Sequence, residues 1–122
     1  MPNNDGYTHN FRLTTKSDTT GAIALTTTAA KVLEVGPTGE CRWASGASSL
    51  VNYSASPVTI YAYLVPVVGG SPANSNLVKH FTIPANDSVQ LGDVLVTSLY
   101  SLYAKASVDD AVVLTLFYEE SE

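Results

Sequence analysis

The chain of 122 residues contains one cysteine, one tryptophan, six lysines and arginines together, and no long unbroken apolar run. Each scarcity excludes something. A single cysteine, Cys41, cannot form a disulfide within the chain, which fits a reducing compartment or a particle assembled in one. A buried, inert thiol is its plainest reading. Six bases against eleven acids give a formal net charge of −5, which lacks the basic footprint of a nucleic-acid binder. The longest apolar stretch, residues 58–68, is interrupted by Thr59 and Pro66 and is too short to span a bilayer. The first residues, Met-Pro-Asn-Asn-Asp-Gly, offer neither a basic start nor an apolar centre. The expectation is a soluble protein, made in the cytoplasm without a cleavable export signal.

What is present in quantity is hydroxyl. Thirteen serines and thirteen threonines outnumber all charged side chains, while 45% of residues are hydrophobic. That apolar fraction suits one folded domain and excludes a disordered chain. Charge is unevenly placed. Residues 1–61 carry four acids and four bases, whereas residues 62–122 carry seven acids and two bases and so hold the whole imbalance. The closing Glu-Glu-Ser-Glu reads as a solvated end or as a docking point for a basic partner.

Residues 1–20 are polar, with Tyr7, Phe11 and Leu13 as their only large apolar groups, so they are expected to form an extended arm without a core of its own. Residues 21–122 are expected to form one domain. From residue 22 onward, short apolar runs alternate with turn residues, the signature of an all-β chain. Candidate strands cover residues 22–27, 31–35, part of 42–52, 58–67, 77–83, 88–91, 94–97, 99–106 and 111–118. In the clearest, Val58, Ile60, Ala62 and Leu64 share one face and Thr59, Tyr61, Tyr63 and Val65 the other. Pro66 marks an edge or a strand terminus. Val112, Leu114, Leu116 and Tyr118 share a face of the last strand. Turns are expected at Gly36-Pro37-Thr38-Gly39, residues 52–57, Pro84-Ala85-Asn86-Asp87 and Asp109-Asp110, with a long surface loop at residues 68–76. About eight antiparallel strands at this spacing predict a single β-sandwich, jelly-roll-like domain.

The inventory for chemistry is thin, and no enzymatic activity is expected. His9 and His80 have no partner at metal-ligand spacing, and neither a Cys-x-x-Cys nor a His-Glu-x-x-His motif occurs. Ser45-Gly46 lacks the preceding glycine of a nucleophile elbow, and Gly69-Gly70 runs into Ser-Pro, which makes it a loop tip and not a phosphate loop. Asp109-Asp110 lacks an alternating third ligand for calcium. Two matches to the glycosylation sequon, at Asn52 and Asn86, reflect the liking of Asn and Ser for turns. No catalytic, cofactor or metal residue is therefore assigned. Tyrosines are the more informative group. Tyr61 and Tyr63 share a strand face, and Tyr100 and Tyr103 flank another, an arrangement that serves packing, a subunit interface or a ligand platform.

Two segments carry a resemblance. Residues 51–66 read Val-Asn-Tyr-Ser-Ala-Ser-Pro-Val-Thr-Ile-Tyr-Ala-Tyr-Leu-Val-Pro. Residues 76–88 read Asn-Leu-Val-Lys-His-Phe-Thr-Ile-Pro-Ala-Asn-Asp-Ser. With Leu102-Tyr103-Ala104-Lys105-Ala106-Ser107 and residues 112–116, they resemble small bacteriophage virion proteins over about residues 31–118. Cys41-Arg42-Trp43 and the polar arm depart from that pattern. The resemblance implies a β-sandwich without catalytic residues, found in the virion. The leading expectation is a capsid decoration (cement) protein on the outer surface of the major capsid protein shell, a homo-oligomer (trimer or dimer). The alternative is a tail, neck or fibre component that contacts a receptor or glycan. Contacts with the capsid or with other copies are expected from Tyr7, Phe11, Leu13, Trp43, Tyr61 and Tyr63, which are large and apolar or aromatic in polar surroundings. Nucleic acid, membrane and cofactor are not expected partners.

Overall fold

The computed structural model describes residues 11–12, 22–34, 41–44, 48–97 and 99–121. Among the described residues there are twelve strands: β1 (Phe11–Arg12), β2 (Ala22–Ala24), β3 (Ala30–Glu34), β4 (Cys41–Ala44), β5 (Ser49–Asn52), β6 (Val58–Pro66), β7 (Leu77–Ile83), β8 (Asp87–Gln90), β9 (Val94–Val96), β10 (Tyr100–Ala106), β11 (Val112–Thr115) and β12 (Tyr118–Ser121). All their pairings are antiparallel. Among the described residues the only helical piece is a 3-10 turn at Asn74–Asn76.

One layer has the order β3-β10-β6-β7, and two further ladders run β2-β11-β5-β8 and β1-β12-β4-β9. The last two have the same order, and at each place the two strands follow one another along the chain. They are therefore the two halves of one broken layer. Among the described residues, the strands thus occupy eight positions in two four-stranded layers. The chain changes layer at every connection except β6 to β7, which is the jelly-roll arrangement of an all-β sandwich.

Period-two alternation explains which residues lie between the layers. Val58, Ile60 and Ala62 of β6 and Leu102, Ala104 and Ala106 of β10 come from one side. Leu50, Val94, Val96, Val112, Leu114 and Leu116 come from the other. β6 and β10 stay in register over their whole pairing, so Leu64 also faces the core, partly buried. Each fully buried Val, Leu or Ile side chain contributes roughly 1.5–3 kcal/mol relative to exposure. Val32 and Leu33 are both buried, because a register shift between Leu102 and Tyr103 places a bulge there.

The break in the second layer is held by one side chain. Ser49 pairs with Thr115 and Ala44 with Tyr118, so the β4–β5 side takes two more residues to cross the break than the β11–β12 side. Ser48, 0% exposed, spans the gap. Its Oγ accepts a hydrogen bond from the Phe117 N–H at 2.9 Å and donates to the Phe117 carbonyl at 3.0 Å. Its own carbonyl accepts from Leu91 N–H at 2.9 Å. The hydroxyl thus replaces the two ladder bonds that the bend removes. Ser48→Ala leaves both Phe117 groups without this partner and is expected to cost about 2 kcal/mol, read as a lower urea midpoint at unchanged m-value.

Several expectations are refined. The last strand stops at Thr115 and resumes at Tyr118. Pro66 ends a strand that is interior to its layer, flanked by β10 and β7. Within the expected arm, Phe11 and Arg12 pair with Ser121 and Glu120, so β1 belongs to the sheet. The expected turn at Gly36–Gly39 lies outside the described residues. Asn86 and Asp110 turn the chain where predicted, at φ 53° and 55°, in the left-handed region that Asn and Asp tolerate best after glycine.

The edge strand β7 carries an inward charge. Lys79 pairs with Ala62, a core residue, and its Nζ lies 3.0 Å from where a Cβ on Gly92 would sit. Gly92 has φ +84°, a conformation that glycine adopts freely. A lysine turned inward at an edge discourages another strand from adding there.

Candidate interaction surfaces

The outward face of the β3-β10-β6-β7 layer concentrates the tyrosines. Cross-strand register places Lys105, Tyr61 and His80 in one row and Lys31, Tyr103 and Tyr63 in the next. Tyr61 and His80 stack with ring centroids 4.9 Å apart and planes 18° apart. From the opposite neighbouring strand, Lys105 Nζ lies 5.0 Å from the Tyr61 centroid and 5.9 Å from that of Tyr63, within cation–π range. The Tyr61 ring is therefore engaged from both neighbouring strands. Tyr63 is 3% exposed, and Val65 and Ser101 on the same face are 1% exposed. A sugar platform needs an open ring face. The buried Tyr63 ring offers none, and the Tyr61 ring is already engaged by His80 and Lys105.

Beyond these rows, Lys31 and Glu34 form an ion pair at the surface. The Glu34 hydrogen bond and charge raise the Lys31 pKa above 10.5. Ser101 Oγ donates to the same carboxylate at 3.4 Å. On the other flank, Thr59 and Thr82 hydroxyls meet at 3.1 Å, and Thr59 N–H donates to Ser107 Oγ at 2.9 Å. The hydroxyl-rich composition is thus used to tie neighbouring strands together.

A second surface lies at the end of the sandwich where β6 stops and β10 starts. Val67 N–H donates to the Leu99 carbonyl at 2.7 Å, clamping two turns together. Val68 is 84% exposed, Leu99 70%, Val67 46% and Tyr100 36%. Pro66, Val68, Leu99 and Tyr100 line a cleft of about 230 Å³. Leu99 has φ +78°, a left-handed conformation that costs a residue with a Cβ about 1–2 kcal/mol.

The opposite end is closed by hydrogen bonds. Tyr53 Oη donates to the Asp110 carbonyl, Asp110 N–H to the Leu25 carbonyl at 3.1 Å, and Thr27 N–H to Asp109 Oδ1 at 2.6 Å. The two aspartates thus serve the loop. Among the described residues no group of three or more His, Cys, Asp or Glu could hold a metal ion. Asn52, the first sequon asparagine, is 0% exposed. Its Nδ2 donates to the carbonyls of Ser56, Ile83 and Pro84 at 2.8, 3.1 and 3.1 Å.

Of the residues expected at contacts, the fold brings Tyr61 and Tyr63 together with Tyr103, His80 and Lys105. Trp43 sits in β4, its backbone paired with Glu119 and Leu95, and Phe11 sits in β1. Tyr7 and Leu13 lie outside the described residues. Sequence reasoning overlooked Lys105, which its register with Tyr61 would have indicated, and the surface joining residues 66–68 to 99–100, for which no local signal exists. No family model matches this chain, and no curated protein matches it.

Proposed function

We propose that this protein is a bacteriophage capsid decoration (cement) protein, which binds the outside of the major capsid shell and stabilises it. The observation that carries the reading is the filled outer sheet face. Tyr61, His80 and Lys105 are fixed against each other before any partner arrives, so little side-chain freedom is lost when a flat protein surface covers them. Tyrosine is also enriched at the centres of protein interfaces. Two weaker supports agree. The strand-and-turn motifs resemble those of small phage virion proteins, and jelly rolls are widely used in viral particles, an argument by fold analogy alone.

The mechanism is mechanical. A rigid sandwich laid across neighbouring capsomers adds contact area that must be broken before the shell opens. Binding of the purified protein to shells that lack it should saturate at many copies per shell and raise the temperature at which the shells rupture. Tyr61→Ala combined with Tyr103→Ala should weaken binding at least tenfold, equivalent to about 1.4 kcal/mol, while the circular dichroism spectrum is unchanged. A copy number of only a handful, located at a vertex or tail, would overturn decoration in favour of a tail, neck or fibre component. Shells that bind no protein at all would remove both.

A further inference from the structure

We infer that the protein surface covering the tyrosine rows brings a carboxylate to Lys105, so that the contact closes with an ion pair whose two halves lie on different chains. The inference rests on the decoration reading and names the chemistry of the partner at that same face.

The first observation is that Lys105 has no acid of its own. Among the described residues, the outward face of the β3-β10-β6-β7 layer carries two lysines. Lys31 is paired with Glu34. Lys105 makes neither an ion pair nor a hydrogen bond from its ammonium there, and meets the rings of Tyr61 and Tyr63 instead. The other described bases are accounted for within the chain. Arg12 and Arg42 stand opposite Glu120 in register, and Lys79 is turned inward beside Gly92. With eleven acids to six bases, an outward base with no acid beside it is the exception.

The second observation is position. β10 is interior to its layer. Lys105 lies opposite Tyr61 in register and two residues from Tyr103 on the same face. A surface laid flat on Tyr61 and Tyr103 therefore passes over Lys105 as well.

The third is energetic. An ammonium carries three N–H donors and is strongly hydrated. A ring face attracts the charge but does not replace the water that accepted those protons. Covering Lys105 without an anion leaves a desolvated, unpaired charge, among the costliest groups to bury. Lysine is depleted at interface centres for that reason. A partner carboxylate accepts from the ammonium and removes the cost. The net charge of −5 narrows the partner further. A broadly acidic surface, or a nucleic acid with its row of phosphates, repels the molecule as a whole. The acid is therefore an isolated Asp or Glu in a surface otherwise neutral or basic.

The test titrates the full chain onto shells that lack it, comparing the parent with Lys105→Met and Lys105→Arg. Methionine keeps an unbranched stem over Tyr61 without the charge. Lys105→Met should bind at least tenfold more weakly, because the partner's acid is left covered and unpaired, while melting as the parent does in the free state. Lys105→Arg should retain most of the binding. On the parent chain, a carbodiimide, which joins an amine and a touching carboxylate into an amide with loss of water, should couple Lys105 to an Asp or Glu of the shell protein. That readout needs no variant to fold. Lys105→Met binding as tightly as the parent or more tightly, or coupling through other lysines and never through Lys105, would overturn the inference. If Tyr61→Ala with Tyr103→Ala loses binding and Lys105→Met does not, the inference falls and the decoration reading stands. Shells that take up none of the parent chain remove both.

Discussion

Asn52→Asp is expected to lower the unfolding free energy by about 4 kcal/mol at neutral pH. Asn52 is fully buried, and three carbonyl oxygens converge on its amide nitrogen. Its Oδ1 accepts from Ser54 N–H at 3.0 Å and Ser54 Oγ at 2.7 Å. One side chain therefore ties the turn after β5 to the turn after β7, across the two layers. Replacing the amide NH₂ by oxygen sets a carboxylate against those three carbonyls.

Desolvation and carbonyl repulsion raise the pKa of the introduced carboxyl in the folded state. The folded variant then binds more protons than the unfolded one, so its stability falls as pH rises above the unfolded value of roughly 3.9. Urea unfolding at pH 4 and pH 7 should show a distinctly smaller penalty at pH 4. Asn52→Ala, which removes the same bonds without adding charge, should cost about 2–3 kcal/mol with no such pH dependence. A penalty below about 1 kcal/mol for Asn52→Asp at pH 7 would mean that the turns hold without this residue.

Leu50→Ala and Leu114→Ala are expected to cost about 3 kcal/mol each. The two residues are direct cross-strand partners in the β5–β11 ladder and are 0% and 1% exposed. Each truncation leaves a cavity that the flanking strands, pinned by their hydrogen bonds, cannot collapse. The double variant should cost measurably less than the two single losses added together, since the second truncation only enlarges a cavity already made. Denaturant unfolding of all four proteins closes the cycle. Strict additivity would show that the two side chains do not share a cavity wall.

The alternation of residues 58–66 was enough to separate core from outer face, and Pro84 to Asp87 was enough to place a turn. Both signals are local. The break in the second layer was not legible, because it rests on a single hydroxyl, Ser48, and on a two-residue difference between strands far apart in sequence. Residues 111–118 keep their apolar alternation straight through the interruption at Leu116 and Phe117, so periodicity sees one strand. Phe11 and Arg12 were unreadable as a strand for another reason: their pairing is with the backbone of β12, and nothing in a polar sequence announces that partner. The shared face of Tyr61 and Tyr63 followed from period two. That Tyr63 is buried and Tyr61 is engaged by His80 and Lys105 depends on β7 and β10, whose register is set by the fold as a whole. The apolar end is the extreme case, since Val68 and Leu99 are thirty-one positions apart and meet only because β6 and β10 pair in full.

The interior position of β11 and β12 has a consequence for the order of events in synthesis. These strands lie between β2 and β5 and between β1 and β4, yet they are translated after all of them. Until residues 112–121 leave the ribosome, the second layer lacks an inner strand, and β1 and β2 have nothing to pair with. The nascent chain must therefore wait, its apolar strand faces uncovered, and then close in one late step that joins its earliest segments to its latest. At typical elongation rates of about 5–20 residues per second, that interval lasts several seconds, during which the strands that will flank β11 and β12 have unsatisfied edges open to neighbouring nascent chains.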